Sequence, residues 1–301
     1  MKFRRIYTLM VEGMASIYTI GVFPGSPAET LGDLLTVDFD INRSTLAGAN
    51  TGRFTIRNLA ETTRRDVYHD RYDFLNHREV EFRAGYSEMK TLPLIFKGDI
   101  RTAYSSRQKT DWVTDLDCYD GIDGIVTSQF SDTIPASRAG LTAFLKGAIA
   151  GMNFVKPGAV SNFDTAADKR PPRGRTVAGN TWDILQQLTP GSLSFIDNGR
   201  VNLLKRGDYI ANSPGISLIT SESGLLGTPR RQNEKIELDM IFEPRLDIGQ
   251  QVEVRSLEKV NNGFYQVCSI RHHGTISGAV DNGATTTVGL WLGSSRLSPV
   301  Q

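Results

Sequence analysis

The chain has 301 residues, of which 39% are hydrophobic and 22% charged, as in an ordinary globular protein of two or three domains. Its 34 basic and 33 acidic residues give a formal net charge of +1, so charge alone does not favour nucleic acid or an anionic membrane as the main partner. No apolar run approaches the roughly 20 residues that span a bilayer. The start of the chain, which has Glu12 and no uninterrupted apolar core, is a poor signal peptide.

The first 125 residues alternate apolar and polar side chains, which is the period of strands with one buried face. The clearest run is Leu35 to Ile41, and a turn at Asn50-Thr51-Gly52 precedes the next strand. The charged segment Glu61 to Asp73 predicts a short surface helix or loop. Other strands are predicted at 6–11, 16–22, 53–57 and between 80 and 118. We therefore predict a first β-barrel-like domain over residues 1–125.

The alternation stops at two Asp-Gly pairs near residue 120. Residues 137–152 carry apolar side chains at three- and four-residue spacing, which predicts a helix, and a second helix is expected to begin after an N-cap at Asn180. A hairpin is expected across Asp197-Asn198-Gly199. Its facing apolar side chains would be Leu193 and Phe195 on one strand and Val201 and Leu203 on the other. These elements predict a small α+β domain over residues 126–207.

From residue 208 the pattern is again that of β-strands, which predicts a second β-barrel-like domain over residues 208–301. The strands are predicted at 217–220, 235–242, 251–257, 263–271 and 285–292. Turns are expected at Asn261-Asn262-Gly263 and Asp281-Asn282-Gly283, and the tail from Ser294 is expected to be loose. The fold class that follows is mainly β: two similar antiparallel β-barrel-like domains with a small α+β domain between them.

The two β regions repeat the same rhythm about 170 positions apart. Val80-Glu81-Phe82-Arg83 corresponds to Val252-Glu253-Val254-Arg255, and in both regions a second strand ends in an Ile-Arg pair, at Ile100-Arg101 and Ile270-Arg271. Either the chain contains an internal repeat, or two unrelated antiparallel domains share a common pattern. A true repeat would let three subunits present six similar units, which is a way to join a threefold object to a sixfold one. Exposed edges, including the strand of Val254, would then pair with neighbouring subunits.

Sequence motifs for catalysis, nucleotides and metals are lacking. The chain has no Gly-rich nucleotide loop, no His-Glu-x-x-His and no Gly-x-Ser-x-Gly, so we expect no enzyme and no catalytic, cofactor-binding or metal residues. A glycosidase-like carboxylate pair stays open, because such pairs need not be neighbours in sequence. His272 and His273 should point to opposite faces at a strand end, and Cys118 and Cys268 should be buried thiols.

The acidic run that begins at Asp111 has an alternative interpretation as a calcium loop. Its spacing does not fit, because Val126 stands where the closing Glu is required. We expect solvent-facing carboxylates on an edge strand, followed by two Asp-Gly turns. The run consists of Asp111, Asp115, Asp117, Asp120 and Asp123. The basic stretch Lys169–Arg175 is either a solvated loop or a docking arm for an acidic partner or for nucleic acid.

Several segments, in this order and spacing, resemble the baseplate hub proteins of contractile-tailed bacteriophages. They are Asn50–Leu59, Phe96–Ile100, Phe195–Val201, Gly224–Pro229, Leu246–Val252, Asn262–Val267 and Ile270–Gly274. The resemblance implies a structural protein of the virion tail baseplate, assembled in the host cytoplasm as a homotrimer. Two barrel-like domains per chain would form a pseudo-sixfold ring.

The resemblance also implies partners. One face of the ring would meet the hexameric tail tube or its initiator protein, and the other would hold the trimeric central spike, with tape measure and baseplate wedge proteins nearby. DNA would only pass through the lumen, whose lining should be polar and not strongly cationic. Three other functions stay open: a tail-tube or tube-initiator subunit, a tail-associated cell-wall hydrolase, and a small-molecule-binding β-barrel.

Overall fold

The computed structural model describes residues 4–26, 34–46, 48–70, 77–134, 140–164, 175–211, 218–232, 235–278, 283–291 and 298–300. The strands are β1 (Arg5–Glu12), β2 (Ile17–Gly21), β3 (Val37–Ser44), β4 (Thr51–Arg57), β5 (Glu79–Tyr86), β6 (Leu94–Gln108), β7 (Asp111–Tyr119), β8 (Gln129–Ile134), β9 (Lys156–Val160), β10 (Arg175–Asn180), β11 (Leu193–Asp197), β12 (Arg200–Leu204), β13 (Asp208–Ile210), β14 (Leu218–Ile219), β15 (Leu225–Gln232), β16 (Lys235–Ile241), β17 (Gln251–Val254), β18 (Gly263–Ile276), β19 (Ala284–Trp291) and β20 (Ser298–Val300). The helices are α1 (Glu61–Val67), α2 (Ile122–Thr127), α3 (Leu141–Ala150), α4 (Thr181–Leu188) and a 3₁₀ turn, Lys259–Asn261. No helix in these ranges is long and apolar enough to cross a membrane.

The mainly β prediction is confirmed, and one large sheet runs through both β regions. Its strand order is β15-β16-β19-β18-β3-β4-β7-β6-β5-β1-β2, and β17 and β14 are attached beside β18. The pairs along this path are antiparallel, and the alternating burial along strands such as β3 and β16 is typical of an antiparallel sheet with one buried face. The division into two barrel-like domains stays a prediction.

The two β regions have the same strand order. In the first, the hairpin β3-β4 is followed by the meander β5-β6-β7, and β7 returns to pair with β4. In the second, the hairpin β15-β16 is followed by the meander β17-β18-β19, and β19 returns to pair with β16. The orders β3-β4-β7-β6-β5 and β15-β16-β19-β18-β17 are therefore equivalent.

The strand pairing also fixes which residues correspond. Val80 pairs with Gly98 and Val252 pairs with Tyr265, so the match of the first strands agrees with the sequence pattern. Both second strands carry one extra residue opposite the third strand, Arg101 in β6 and Cys268 in β18. Because these bulges are equivalent, the two Ile-Arg pairs of the sequence pattern differ by three positions and do not correspond.

The long strand β18 joins the two regions. Its first residues pair with β17, and its last eight residues, Ser269–Ile276, pair with β3. The strand of Val254 was expected at an exposed edge, but β17 lies between β14 and β18 and Val254 is fully buried. The tail was expected to be loose, yet Ser298–Val300 form β20 and pair in parallel with β13.

The middle of the chain is a smaller α+β region. The predicted N-cap of α4 is confirmed, because the Asn180 side chain accepts hydrogen bonds from the N–H groups of Trp182 and Asp183. The predicted helix over 137–152 is seen from Leu141 to Ala150, and residues 135–139 lie outside the described part. Apolar side chains of α3 and α4 pack on the hairpin β11-β12.

The hairpin forms where it was expected, but the residues that lie opposite each other across its two strands differ from the prediction. Asn198 and Gly199 both have positive φ (52° and 72°), so Asp197 pairs with Arg200 across a two-residue turn. Leu193 then faces Leu204, and Phe195 faces Asn202 rather than an apolar residue. Both faces of the hairpin are buried, which removes the alternation that sequence periodicity relies on.

Buried apolar side chains form three main clusters. The first fills the β3–β7 region and also includes Phe242 and Ile276 from the second β region. The second fills the β15–β19 region and includes Phe195 and Leu204 from the hairpin. The third lies under α3 and α4. The first two clusters each combine residues from two of the predicted domains, so the limits at residues 125 and 207 stay predictions.

Candidate functional site

The candidate functional surface is the outward side of eight adjacent strands, which we call the polar face. The strands are β15, β16, β19, β18, β3, β4, β7 and β6. Strand alternation creates it: the apolar members of each strand point into the buried clusters, and the polar members point the other way. In β3, for example, Val37, Phe39 and Ile41 are buried while Asp38 and Asp40 are partly exposed.

Arginines on the polar face are paired with carboxylates of neighbouring strands. In the first β region, Arg53 Nε lies 3.1 Å from Asp117 Oδ1, and Arg57 Nη2 lies 3.0 Å from Asp38 Oδ2. Each pair joins adjacent strands, so the cation is neutralised locally. The polar face therefore carries many charges without a large positive potential.

The same pairing continues across the joint and into the second β region. The Arg271 guanidinium donates two hydrogen bonds of 2.9 Å to Asp40, which joins β18 to β3 and holds the pKa of Asp40 below its usual value. Arg230 Nη2 donates to Glu237 at 2.9 Å and to Asp239 at 2.8 Å, and these carboxylates raise the pKa of Arg230. One pattern of compensated charge thus covers both halves of the sheet.

The acidic run was expected on an edge strand, but its first three residues lie on β7, which is an inner strand between β4 and β6. Asp115 accepts a 2.6 Å hydrogen bond from the Thr55 hydroxyl, and Asp117 binds Arg53. Asp120 is buried and Asp123 is at the start of α2. Position in the sheet, which periodicity alone does not fix, accounts for the difference.

Behind the polar face, one buried arginine joins three parts of the chain. Arg43 of β3 donates to both oxygens of Asp197 in the hairpin, at 2.8 and 2.6 Å, and to Asp247 Oδ1 at 3.1 Å. Its side chain is only 1% exposed. Burial disfavours the guanidinium charge, but the two carboxylates more than offset this and raise the pKa of Arg43. We call this group, with its neighbours Asn50 and Asp120, the joint network.

The rest of the joint network forms hydrogen bonds with the backbone of the hairpin turn. Asn50 Nδ2 donates 2.8 Å to the Ile196 carbonyl. The Asp120 carboxylate accepts hydrogen bonds from the N–H groups of Asn198, at 2.5 Å, and Gly199, at 2.8 Å. Burial, with the nearby Asp197 carboxylate, raises the pKa of Asp120 to about 8. The Asp-Gly pair predicted as a simple turn therefore anchors the hairpin to β7.

A second titratable group lies between the first β region and α2. The His77 ring places Nδ1 3.0 Å from Asp123 and Nε2 3.5 Å from Asp99, and it stacks on Phe154 with the ring centres 4.3 Å apart. The hydrogen bond to Asp123 raises the pKa of His77, and burial raises that of Asp99 to about 6. Sequence analysis missed this group, because no local spacing connects residues 46 positions apart.

The His77 group has the residue types of a metal site, with ligand atoms within 4.8 Å of one another. Its geometry fits a protonated imidazole better. Both ring nitrogens face carboxylates, and Arg101 Nη1 already donates to the other oxygen of Asp123 at 3.1 Å. A divalent cation would have to displace these donors.

The remaining expected residues are placed as follows. His272 and His273 point to opposite faces, but His272 is fully buried in the middle of β18, with Nδ1 2.9 Å from Thr286 Oγ1, and burial lowers its pKa to about 3. Cys118 and Cys268 are buried free thiols, as predicted. The basic stretch Lys169–Arg175 lies outside the described residues except for Arg175, which begins β10.

Comparison with known proteins connects this architecture with phage tails. Residues 18–275 match the family described as Baseplate hub gp41. By sequence, no curated protein matches the chain significantly.

Solved structures with a similar fold come from tails and related machines. A tail protein of Neisseria meningitidis MC58 matches with a TM-score of 0.56 at 11% identity, over 95% of this chain and 96% of that one. The 43 kDa tail protein of prophage MuSo2 from Shewanella oneidensis matches with a TM-score of 0.55 at 11% identity, over 94% and 97%. The E. coli c3393 protein, a component of the type VI secretion system, matches with a TM-score of 0.52 at 9% identity, over 88% and 76%.

Proposed function

Because the chain belongs to the baseplate hub gp41 family, we propose that three copies form a pseudo-sixfold ring that joins the hexameric tail tube to the trimeric central spike. The coarser role, a structural component of the phage tail baseplate, follows from the family itself. The ring, its copy number and its two partners are our proposal.

The repeated strand order carries this proposal. Each chain contains two β regions whose five strands follow the same order, β3-β4-β7-β6-β5 and β15-β16-β19-β18-β17. A ring of three chains would present six similar regions around its axis, and so it would match sixfold symmetry on one side and threefold symmetry on the other. A subunit with one such region would need six copies for the same match.

The polar face supports an assignment as the lining of the ring. A channel that passes the tape measure protein and then DNA must not bind either of them tightly. On this face the described arginines Arg53, Arg57, Arg230 and Arg271 are each paired with a carboxylate. The potential that DNA would meet is thereby reduced, since the opposite charges cancel over a few ångströms.

We also propose three units with the limits 1–125, 126–207 and 208–301, in which the outer two form the ring and the middle one faces baseplate neighbours. The basic stretch Lys169–Arg175 would contact an acidic partner there. The chain would act without catalysis, in the virion tail, after assembly in the host cytoplasm.

Light scattering behind a sizing column tests the copy number. We expect a mass three times the 33.2 kDa of the chain, alone or with the central spike from the same genome. A sixfold mass would replace the hub proposal with a tube or tube-initiator subunit. A monomer under both conditions would contradict the ring and favour the enzyme or binding-module alternatives.

A further inference from the structure

The two β regions are joined by the pairing of β18 with β3, which we call the inner seam. Its geometry indicates how a second seam, between two copies of the chain, could form. In the inner seam, the last eight residues of β18 pair antiparallel with β3, from Ser269 opposite Ser44 to Ile276 opposite Val37. On the polar face, an ion pair between Arg271 and Asp40 connects the two strands of the inner seam. A long strand that pairs with its own meander first, and then with a neighbouring hairpin, is what makes the seam.

Strand β6 is the equivalent of β18 and has the same two parts. Its first residues pair with β5, the bulge at Arg101 matches that at Cys268, and the strand then continues to Gln108 beside β7. We call Thr102–Gln108 the β6 arm. Within the described residues, the side of the arm away from β7 is paired only at Ala103, which exchanges both backbone hydrogen bonds with His69.

The backbone direction of the rest of the arm follows from Ala103. Since alternate residues of a strand direct their N–H and C=O groups to the same side, Ser105 and Arg107 also face away from β7. The described part of the chain provides no strand beside them. Within the described residues, the arm is therefore an unpaired edge from Ser105 onward, two residues beyond Ala103, which pairs with His69.

Strand β15 is the equivalent of β3 and has the complementary edge. It is the terminal strand of the sheet and pairs with β16 on one side only. The pairings along β16 and β4 place Arg231 where Ile41 stands in β3, and Arg230 where Asp40 stands. Ile41 lies opposite His272 across the inner seam, where its backbone N–H and C=O groups point toward β18. By the same equivalence, the backbone N–H and C=O groups of Arg231 point away from β16.

We propose that the β6 arm of one copy pairs antiparallel with β15 of the next copy. The equivalences fix the register: Ser105 lies opposite Arg231, and Ser106 opposite Arg230, of the neighbouring chain. This outer seam rests on the proposed ring and identifies the surface that closes it. The occupant is a second copy of this chain because the inner seam already pairs these two kinds of edge.

The position of the two edges is compatible with a ring. They are different surfaces at opposite ends of the eight strands of the polar face, so the contact is head-to-tail and not a twofold dimer. If the outer seam keeps the geometry of the inner one, each β region is rotated equally from the last, and the polar face becomes continuous around the lumen.

A pair of cysteines tests the register. Ser106 and Arg230 are exposed, and their backbone groups point into their own sheets, so they would form a non-hydrogen-bonded pair with Cα atoms about 4.5 Å apart, within the range of a disulfide. Mild oxidation of the Ser106→Cys, Arg230→Cys double variant should give covalent dimers and trimers. The control, Ser106→Cys with Arg231→Cys, directs the two thiols to opposite faces of the sheet and should give about tenfold less.

A proline tests the edge independently. The N–H of Ser105 is not used in the ladder with β7, so Ser105→Pro removes a hydrogen bond of the outer seam while it leaves that ladder intact. We expect a folded monomer where the unaltered chain is a trimer. Ser105→Ala should remain trimeric, and so should Thr19→Pro, which removes an outward N–H from β2 at the other end of the sheet.

The outcomes separate the seam from the ring. A trimer that shows no crosslink in the Ser106–Arg230 register, or that survives Ser105→Pro, overturns the seam and leaves the proposed function standing. Loss of the trimer in Thr19→Pro alone would assign the contact to β2 and also overturn the seam. If the chain is monomeric at every concentration, both the outer seam and a ring formed by the chain alone are overturned.

Discussion

Replacing Arg43 by methionine should be among the most destabilising single changes in this protein. The guanidinium is 1% exposed and makes three hydrogen bonds to the carboxylates of Asp197 and Asp247. Methionine has a similar volume, so the main effect is a buried Asp197 carboxylate without its cation. Removal of one partner from a buried ion pair costs about 3–5 kcal/mol. We expect a loss of that size in the free energy of unfolding, measured by urea denaturation at a fixed protein concentration.

A matched control is Arg53→Met, which breaks an ion pair on the polar face whose arginine is 75% exposed. Exposed pairs are worth about 0–1 kcal/mol, so this variant should stay close to the unaltered chain. The double variant Arg43→Met, Asp197→Asn should lose less than the sum of its two single changes, because the second change removes the stranded charge. A loss below about 1 kcal/mol for Arg43→Met would refute the view that this cation holds the three parts together.

Three further predictions concern other parts of the chain. The hydrogen bond to Asp123 raises the pKa of His77 above its usual 6.5, so the stability that this group contributes should be lost as the pH rises above 6.5, and His77→Gln should flatten that fall in urea titrations between pH 6.5 and 8. The raised pKa of Asp99, about 6, acts at lower pH, where stability should fall as the pH rises from about 4 to 6. Asn180→Ala removes two hydrogen bonds at the start of α4 and should cost about 1 kcal/mol, whereas Asn180→Ser should cost less. Neutralising the four basic residues of Lys169–Arg175 should weaken attachment of a baseplate partner in a pull-down without lowering the melting temperature; unchanged binding would indicate a solvated loop.

Local features of the fold were predictable from the sequence, and long-range ones were not. Alternation identifies β3 because one face is buried and the other is wet, and Asn180 identifies the start of α4 because its side chain caps nearby N–H groups. The continuation of β18 onto β3 depends on pairing between residues such as Arg271 and Asp40, which are 231 positions apart. Nothing in a period-two pattern specifies that partner.

The sequence analysis expected a polar lining, not strongly cationic, for the lumen of a ring, and that expectation stays a prediction because the ring itself is a proposal. The ion pairs on the polar face are the feature that would meet it if this face lines the ring. Arg43 was invisible, because a cation on the apolar side of a strand breaks the pattern and gives no sign of the carboxylates that receive it. Asp120 was misassigned for a related reason: an Asp-Gly pair is a common turn, and only the approach of the hairpin turns its carboxylate into an anchor.

If the polar face lines the proposed ring, its ion pairs are better explained by the potential they cancel than by the stability they add. Exposed ion pairs generally add little to stability, so folding alone gives little reason to place arginine and carboxylate side by side on strand after strand. In the proposed ring, their effect on a passing polyanion would be larger. Beyond a Debye length of about 8 Å an isolated arginine is screened, but within a narrow channel a phosphate would come closer than that. In the proposed ring, pairing Arg53, Arg57, Arg230 and Arg271 with carboxylates on neighbouring strands would keep the surface hydrated and reduce the attraction that holds DNA in place.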